Sequence, residues 1–85
     1  MSVKVNIQRI ADDEFFVVVP LKKDPGTVMA DTMDLLRTSG EEVLMAGRRE
    51  GGFRIKLIMK EGTFSALQGA VTNALEGLTI GSPLS

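Results

Sequence analysis

Phe53, Ile55, Leu57 and Met59 alternate with Arg54, Lys56 and Lys60. Alternation with a period of two puts the apolar side chains on one face of a strand and the cations on the other. A chain that carries such a strand needs an antiparallel sheet with one dry face and one wet face. Val3, Val5 and Ile7 alternate with Lys4, Asn6 and Gln8 in the same way and predict a first strand. Phe15 to Val19 breaks the pattern: it is continuously apolar, rich in β-branched residues, and predicts a strand covered on both faces. The polar run Ala11-Asp12-Asp13-Glu14 supplies a tight turn between these two strands, and Pro20 ends the second.

Helical signals follow each strand pair. Asp24-Pro25-Gly26-Thr27 reads as a helix start, with Asp24 or Thr27 as cap and Pro25 in the first turn, and Gly40 as the stop beyond Thr38. Val28, Met29, Met33, Leu35 and Leu36 form its apolar arc, with Asp31, Asp34 and Arg37 opposite. Val43 to Ala46 predicts a third strand, and Arg48-Arg49-Glu50-Gly51-Gly52 a turn into the alternating fourth. After Gly62, Thr63 or Ser65 caps a second helix that ends near Gly77. The order β-β-α-β-β-α predicts an α+β fold, an antiparallel sheet with both helices on one face. A weak internal duplication of ββα is one reading of this order. At 85 residues the chain is one domain, placed over residues 1–80, with a loose tail over 81–85.

Composition narrows the function. The chain has no His and no Cys. The usual general base near neutral pH, the thiol nucleophile and the commonest metal ligands are therefore missing, which argues against an enzyme and against a metal site. Asp12, Asp13 and Glu14 are adjacent, and three neighbouring carboxylates in a turn seldom converge on a cation. Gly47 to Gly52 lacks the strand–loop–helix setting and the Lys-Ser pair of a phosphate-binding loop. No cofactor is expected. The lack of Cys agrees with an intracellular protein, no targeting or membrane-spanning segment stands out, and a cytoplasmic location is expected. A domain this small has a marginal core, and a partner subunit would add burial.

Two surfaces are candidates for that partner. On the second helix Phe64, Leu67, Val71, Leu75 and Leu78 make one stripe, and Ala66, Gly69, Ala70, Asn73, Ala74 and Gly77 a second made mostly of small residues. Small side chains let another helix approach closely. That helix is either the first helix of the same chain or one from another chain. Met29 and Met33 widen the apolar arc of the first helix beyond what one sheet face needs and join the candidate interface. Met29, Met33, Met45 and Met59 otherwise read as core filler. The second surface is the hairpin from Arg48 to Lys60, with five cations (Arg48, Arg49, Arg54, Lys56, Lys60) against one acid, Glu50. It either holds RNA phosphates, chiefly through Arg48, Arg49, Arg54 and Lys56, or is a solvated strand face. Net charge is −1, so attraction to nucleic acid would have to be local. With no Tyr or Trp, base stacking would fall on the four Phe or on Arg.

Gly52 to Lys60 followed by Ser65-Ala66-Leu67-Gln68-Gly69-Ala70-Val71-Thr72-Asn73-Ala74-Leu75 resembles the final strand and helix of the small dimerisation subunits of the KEOPS complex, the Pcc-type family. Phe15 to Leu36 resembles that family's strand, apolar-Pro pair and helix. The likeness covers roughly residues 15–78. The chain departs from the pattern in an additional N-terminal strand and in Ala74, Glu76 and Gly77 near the end of the last helix, which suits a divergent paralogue. The resemblance implies a non-catalytic subunit of the machine that adds threonylcarbamoyl to adenosine in tRNA. It implies a homodimer or a heterodimer with a related small subunit, and helix packing against a larger catalytic subunit.

Overall fold

A computed structural model describes residues 5–77. The elements are β1 (Ile7–Arg9), β2 (Glu14–Val18), α1 (Pro25–Thr38), β3 (Val43–Arg49), β4 (Gly52–Leu57) and α2 (Thr63–Leu75). The fold is α+β, β-β-α-β-β-α, with one four-stranded sheet in the order β1-β2-β4-β3 and every neighbouring pair antiparallel. Val3 and Lys4 of the expected first strand, and everything from Leu78 on, lie outside the described residues.

Side chains of paired residues in an antiparallel sheet share a face. Phe15 pairs with Ile55 and Val17 with Phe53. All four are at most 1% exposed, and with Leu57 they form the sheet's half of the core. Val28 and Leu36 of α1 and Leu67, Ala70, Val71, Ala74 and Leu75 of α2 complete that single cluster, so both helices cover the same face. α1 packs against α2, β3 and β4.

The other face has no layer over it among the described residues. Phe16 and Val18 point that way and are half-buried rather than covered. This corrects the expectation of a β2 dry on both sides. Five consecutive apolar residues demanded two covering layers, but both helices among the described residues go to one side. Phe16 instead lies under the Arg49 guanidinium, 5.4 Å from its ring centre. An arginine can shield an aromatic face this way while keeping its charge in water.

Helix α1 begins as its sequence dictates. Asp24 is the cap, its Oδ2 accepting from the Thr27 amide at 2.9 Å and the Thr27 hydroxyl at 2.8 Å. At the far end the Glu41 amide donates to the Leu36 carbonyl and the Gly40 amide to that of Arg37, with Gly40 at φ 87°. This is a Schellman closure, which needs the left-handed residue that glycine provides. Helix α2 begins differently from the expectation. Gly62 precedes it at φ 87° with no side-chain cap. Thr63 is the first helical residue and is fully buried, its Oγ1 accepting from the Lys60 amide at 3.0 Å and donating to Glu41 Oε1 at 2.9 Å. Thr63 thus pins the α1–β3 loop to the start of α2.

The third strand runs to Arg49, so Arg48 and Arg49 belong to β3 and the turn shrinks to Glu50-Gly51. Gly52 already pairs with both neighbours, Val18 and Arg49. A Cβ on Gly52 would come 1.8 Å from the Val17 carbonyl oxygen, so only glycine lets β2 approach here.

The two ββα units share one spacing, but the contacts among the described residues do not repeat it: α1 packs against β3 and β4, and α2 has no matching contact with β1 and β2. Phe15 and Phe53, Val17 and Ile55, and the first helical residues Pro25 and Thr63 are each 38 positions apart (53 − 15, 55 − 17, 63 − 25). The β2–β4 ladder maps onto itself under that shift, as any antiparallel ladder does, so Phe15↔Ile55 becomes Phe53↔Val17. The Phe16↔Arg54 pair sits on the local twofold axis. The shift also turns Ile7↔Val17 into Met45↔Ile55, but Met45 pairs with Lys56 instead, one step off, because β3 carries a bulge between Val43 and Met45.

Candidate functional site

The small stripe of α2 divides. Ala70 and Ala74 are buried within the chain, each 5% exposed, in the layer where α1 meets α2. Ala66, Met29 and Met33 are half-buried and packed against the core. Gly69, Asn73 and Gly77 face solvent, and a Cβ on Gly69 or Gly77 would meet nothing within 4 Å. The Ala70–Ala74 part of the stripe is therefore covered within the chain, in the core cluster to which α1 contributes Val28 and Leu36. The main apolar stripe shifts as well: Phe64 is 40% exposed and leans on Phe15, ring centres 5.5 Å apart.

The basic hairpin divides too. Arg48 pairs with Phe53 and so lies on the helix side of the sheet. There its side chain runs beside the first turn of α1, its Cδ 3.4 Å from where a Gly26 Cβ would be. It contributes, after the Thr27 hydrogen bonds, to holding the Asp24 carboxyl below its ordinary pKa. Arg49, Arg54 and Lys56 lie on the open face, where Arg49 pairs with Gly52, Arg54 with Phe16 and Lys56 with Glu14. Arg54 Nε is 3.3 Å from Glu14 Oε2. The surface expected to hold four cations together therefore holds three, with Arg48 behind the sheet. In the β1–β2 turn, Asp12 offers its backbone carbonyl to Arg9 Nη2 at 2.9 Å, which uses the turn to clasp the hairpin.

Between β3 and β4 the open face sinks into a shallow concavity lined by Glu14, Met45, Ala46, Gly47, Arg54, Ile55 and Lys56. Gly47 makes it: the position is exposed and a Cβ there would meet nothing within 4 Å. Sequence reasoning put Gly47 at the edge of a turn. Once β3 is seen to reach Arg49, Gly47 becomes a mid-strand residue without a side chain, a signal for close approach by something else.

One end of the sheet is apolar. Ile10, Leu44, Met45, Ile58 and Phe64 are 40–48% exposed. They lie at the end where β1 and β4 finish and β2 and β3 begin, across the width of the sheet and on both faces: the Ile10 amide donates to Glu14, the Leu57 amide to Asp13 and the Ile58 amide to Glu42, with Met45 on the open face and Phe64 against Phe15 on the helix face. The bulge sets Leu44 and Met45 side by side at that end. Sequence reasoning missed this rim, because its members belong to four different elements or their flanks. Among the described residues no helix is long and apolar enough to cross a membrane.

A scan against protein-family models finds no match to this chain, and neither does comparison with curated proteins or with solved structures.

Proposed function

We propose that the chain is a non-catalytic dimerisation or scaffold subunit of a multiprotein complex, of the kind the small KEOPS subunits exemplify. The observation that carries this reading is the apolar rim. Five of the six exposed large apolar side chains among the described residues, Ile10, Leu44, Met45, Ile58 and Phe64, lie at one end of the sheet at 40–48% exposure; the sixth, Leu21, lies beyond the other end of β2. Scattered exposed apolar residues are ordinary, but a cluster at one end marks a surface for association. An 85-residue chain gains most from a partner there, since its own core leaves much of its surface wet. The lack of His and Cys supports a role without chemistry of its own. The KEOPS candidate rests on the strand–helix resemblance over residues 52–75 and supplies the partner classes: a second small subunit and a larger catalytic subunit whose helices pack on this one.

The test is the mass of the protein in solution, by light scattering, together with its partners on isolation from the native cell. The wild type is expected to self-associate or to retain a small-subunit partner in a salt-resistant complex. A Leu44→Glu, Ile58→Glu variant should lose that association and keep its melting temperature, because both side chains are already part-exposed. A wild type that stays monomeric at all concentrations and retains no protein partner overturns the proposal.

A further inference from the structure

The open face of the sheet has a chemistry distinct from the rim. Its central cations are Arg49, Arg54 and Lys56, opposed by one carboxylate, Glu14. That is a local charge of +2 on a chain of net −1. Phe16 lies among them, its ring stacked under the Arg49 guanidinium at 5.4 Å. On the same face is the concavity floored by Gly47 and walled by Met45, Arg54, Lys56 and Glu14, the last ion-paired to Arg54. We propose that this face binds single-stranded nucleic acid, with phosphates held by Arg49, Arg54 and Lys56 and a base seated in the concavity over Gly47, between Met45 and Arg54.

Charge selects this occupant. A second copy laid face to face would bring the three cations toward the same three cations, and like charges in an interface oppose association. A polyanion instead gains from each of them and releases its counterions. Flat apolar and guanidinium surfaces accept a base of any sequence, because every base has a π-face. The missing side chain at Gly47 gives the base room that no other position on β3 provides: its neighbours on that face, Met45 and Arg49, carry long side chains. Duplexes are excluded by shape, since a shallow depression on a single sheet does not fit paired strands whose bases are already stacked. This inference does not rest on the association reading. The two surfaces share Met45, but Arg49, Gly47 and Lys56 are not part of the apolar rim and Leu44 and Ile58 do not line the concavity, so variants at these positions let each reading fail alone.

The experiment is fluorescence anisotropy of a labelled oligouridylate with the full chain, against a blunt duplex of matched length, across a salt series. Binding should favour the single strand, and three phosphate contacts predict a slope of about −2 in log affinity against log salt. Gly47→Leu adds a side chain into open space without charge change and should weaken binding roughly tenfold while the melting temperature holds. Arg49→Ala should weaken binding by a similar factor. Arg48→Ala, behind the sheet, should leave it nearly unchanged. No binding at low salt overturns the proposal. Equal losses from Arg48→Ala and Arg49→Ala, or no effect of Gly47→Leu, also overturn it, since the attraction would then be diffuse charge at the hairpin. Loss of self-association in Gly47→Leu without any nucleic-acid binding overturns it in favour of a protein occupant.

Discussion

Gly52 and Thr32 show how much one residue decides and how unevenly the sequence announces it. Gly52 sits in the β3–β4 hairpin beside Gly51, and by sequence the two look like equal parts of a turn. Only Gly52 is pressed between strands, with the Val17 carbonyl where its Cβ would be. Gly52→Ala should therefore cost about 2 kcal/mol or more, because the backbone of a central strand must move. Gly47→Ala, in the same hairpin but open to solvent, should change stability by less than about 0.5 kcal/mol. Chemical denaturation of the two variants compares them directly, and equal costs would mean the close approach at Gly52 is relaxed in solution. Thr32 is the opposite case. It reads as a polar gap in the arc of α1, yet it is fully buried and its Oγ1 has no hydrogen-bond partner. A buried hydroxyl left unsatisfied costs about 1–3 kcal/mol. Thr32→Val keeps the β-branched shape and should raise stability by about 1 kcal/mol, which a domain of this size shows as a melting temperature about 4–8 °C higher. A lower melting temperature would show that the hydroxyl is bonded after all, with the carbonyl one turn back the natural acceptor.

At the scale of elements, α1 was legible from end to end and α2 only in part. Asp24, Pro25, Gly40 and the apolar spacing each specify α1 locally, and it runs over the expected residues. Nothing local could tell which side of α2 would face α1, because Phe64-side and Ala70-side stripes are both apolar. Packing decided it: the small residues let α1 close in, and Phe64 was left at the margin. Ala70→Phe now has a definite expected outcome. It overpacks the α1–α2 layer and should lower stability by about 1–3 kcal/mol, read as a lower melting temperature with association unchanged. Retained stability with lost association would return Ala70 to an external interface. The cap of α1 gives a pH signature. The Thr27 hydroxyl and amide hold the Asp24 carboxyl below its ordinary value of 3.8, with Arg48 adding a smaller pull. A depressed carboxylate stabilises the fold above the unfolded value and loses that contribution as pH falls through the folded one. The melting temperature of Asp24→Ala should thus lie below wild type at neutral pH, and the gap should narrow only below about pH 4. A gap independent of pH would assign the loss to the helix start alone and not to the charge.

For the molecule as a whole, the alternating strands fixed the fold class, but the covering of the sheet could not be read from any one strand. Phe15–Val19 asks for two apolar layers, and the described residues supply one. Whether Phe16 would be buried or merely shielded by Arg49 depends on where both helices go, which is settled by contacts between residues tens of positions apart. The same is true of the rim and of the concavity at Gly47, each assembled from strands that meet only in the folded sheet. The shared β2–β4 ladder explains why the domain should nonetheless behave as one unit. Each ββα half contributes one central strand, β2 or β4, and these pair with each other along five residue pairs. Neither half has a core of its own: Phe15 and Val17 are buried with Ile55, Phe53 and Leu67 from the other half. A duplicated fold with two independent cores would open half by half. This one should not, because opening either half strips the central pair from both. Hydrogen exchange should therefore show the slowest amides of β2 and those of β4 opening with the same free energy, equal to that of global unfolding. β1, an edge strand of three residues, should exchange faster through local opening. Slow amides of β2 and β4 that differ by more than about 1 kcal/mol would separate the halves into independent folding units and overturn the argument from the shared core.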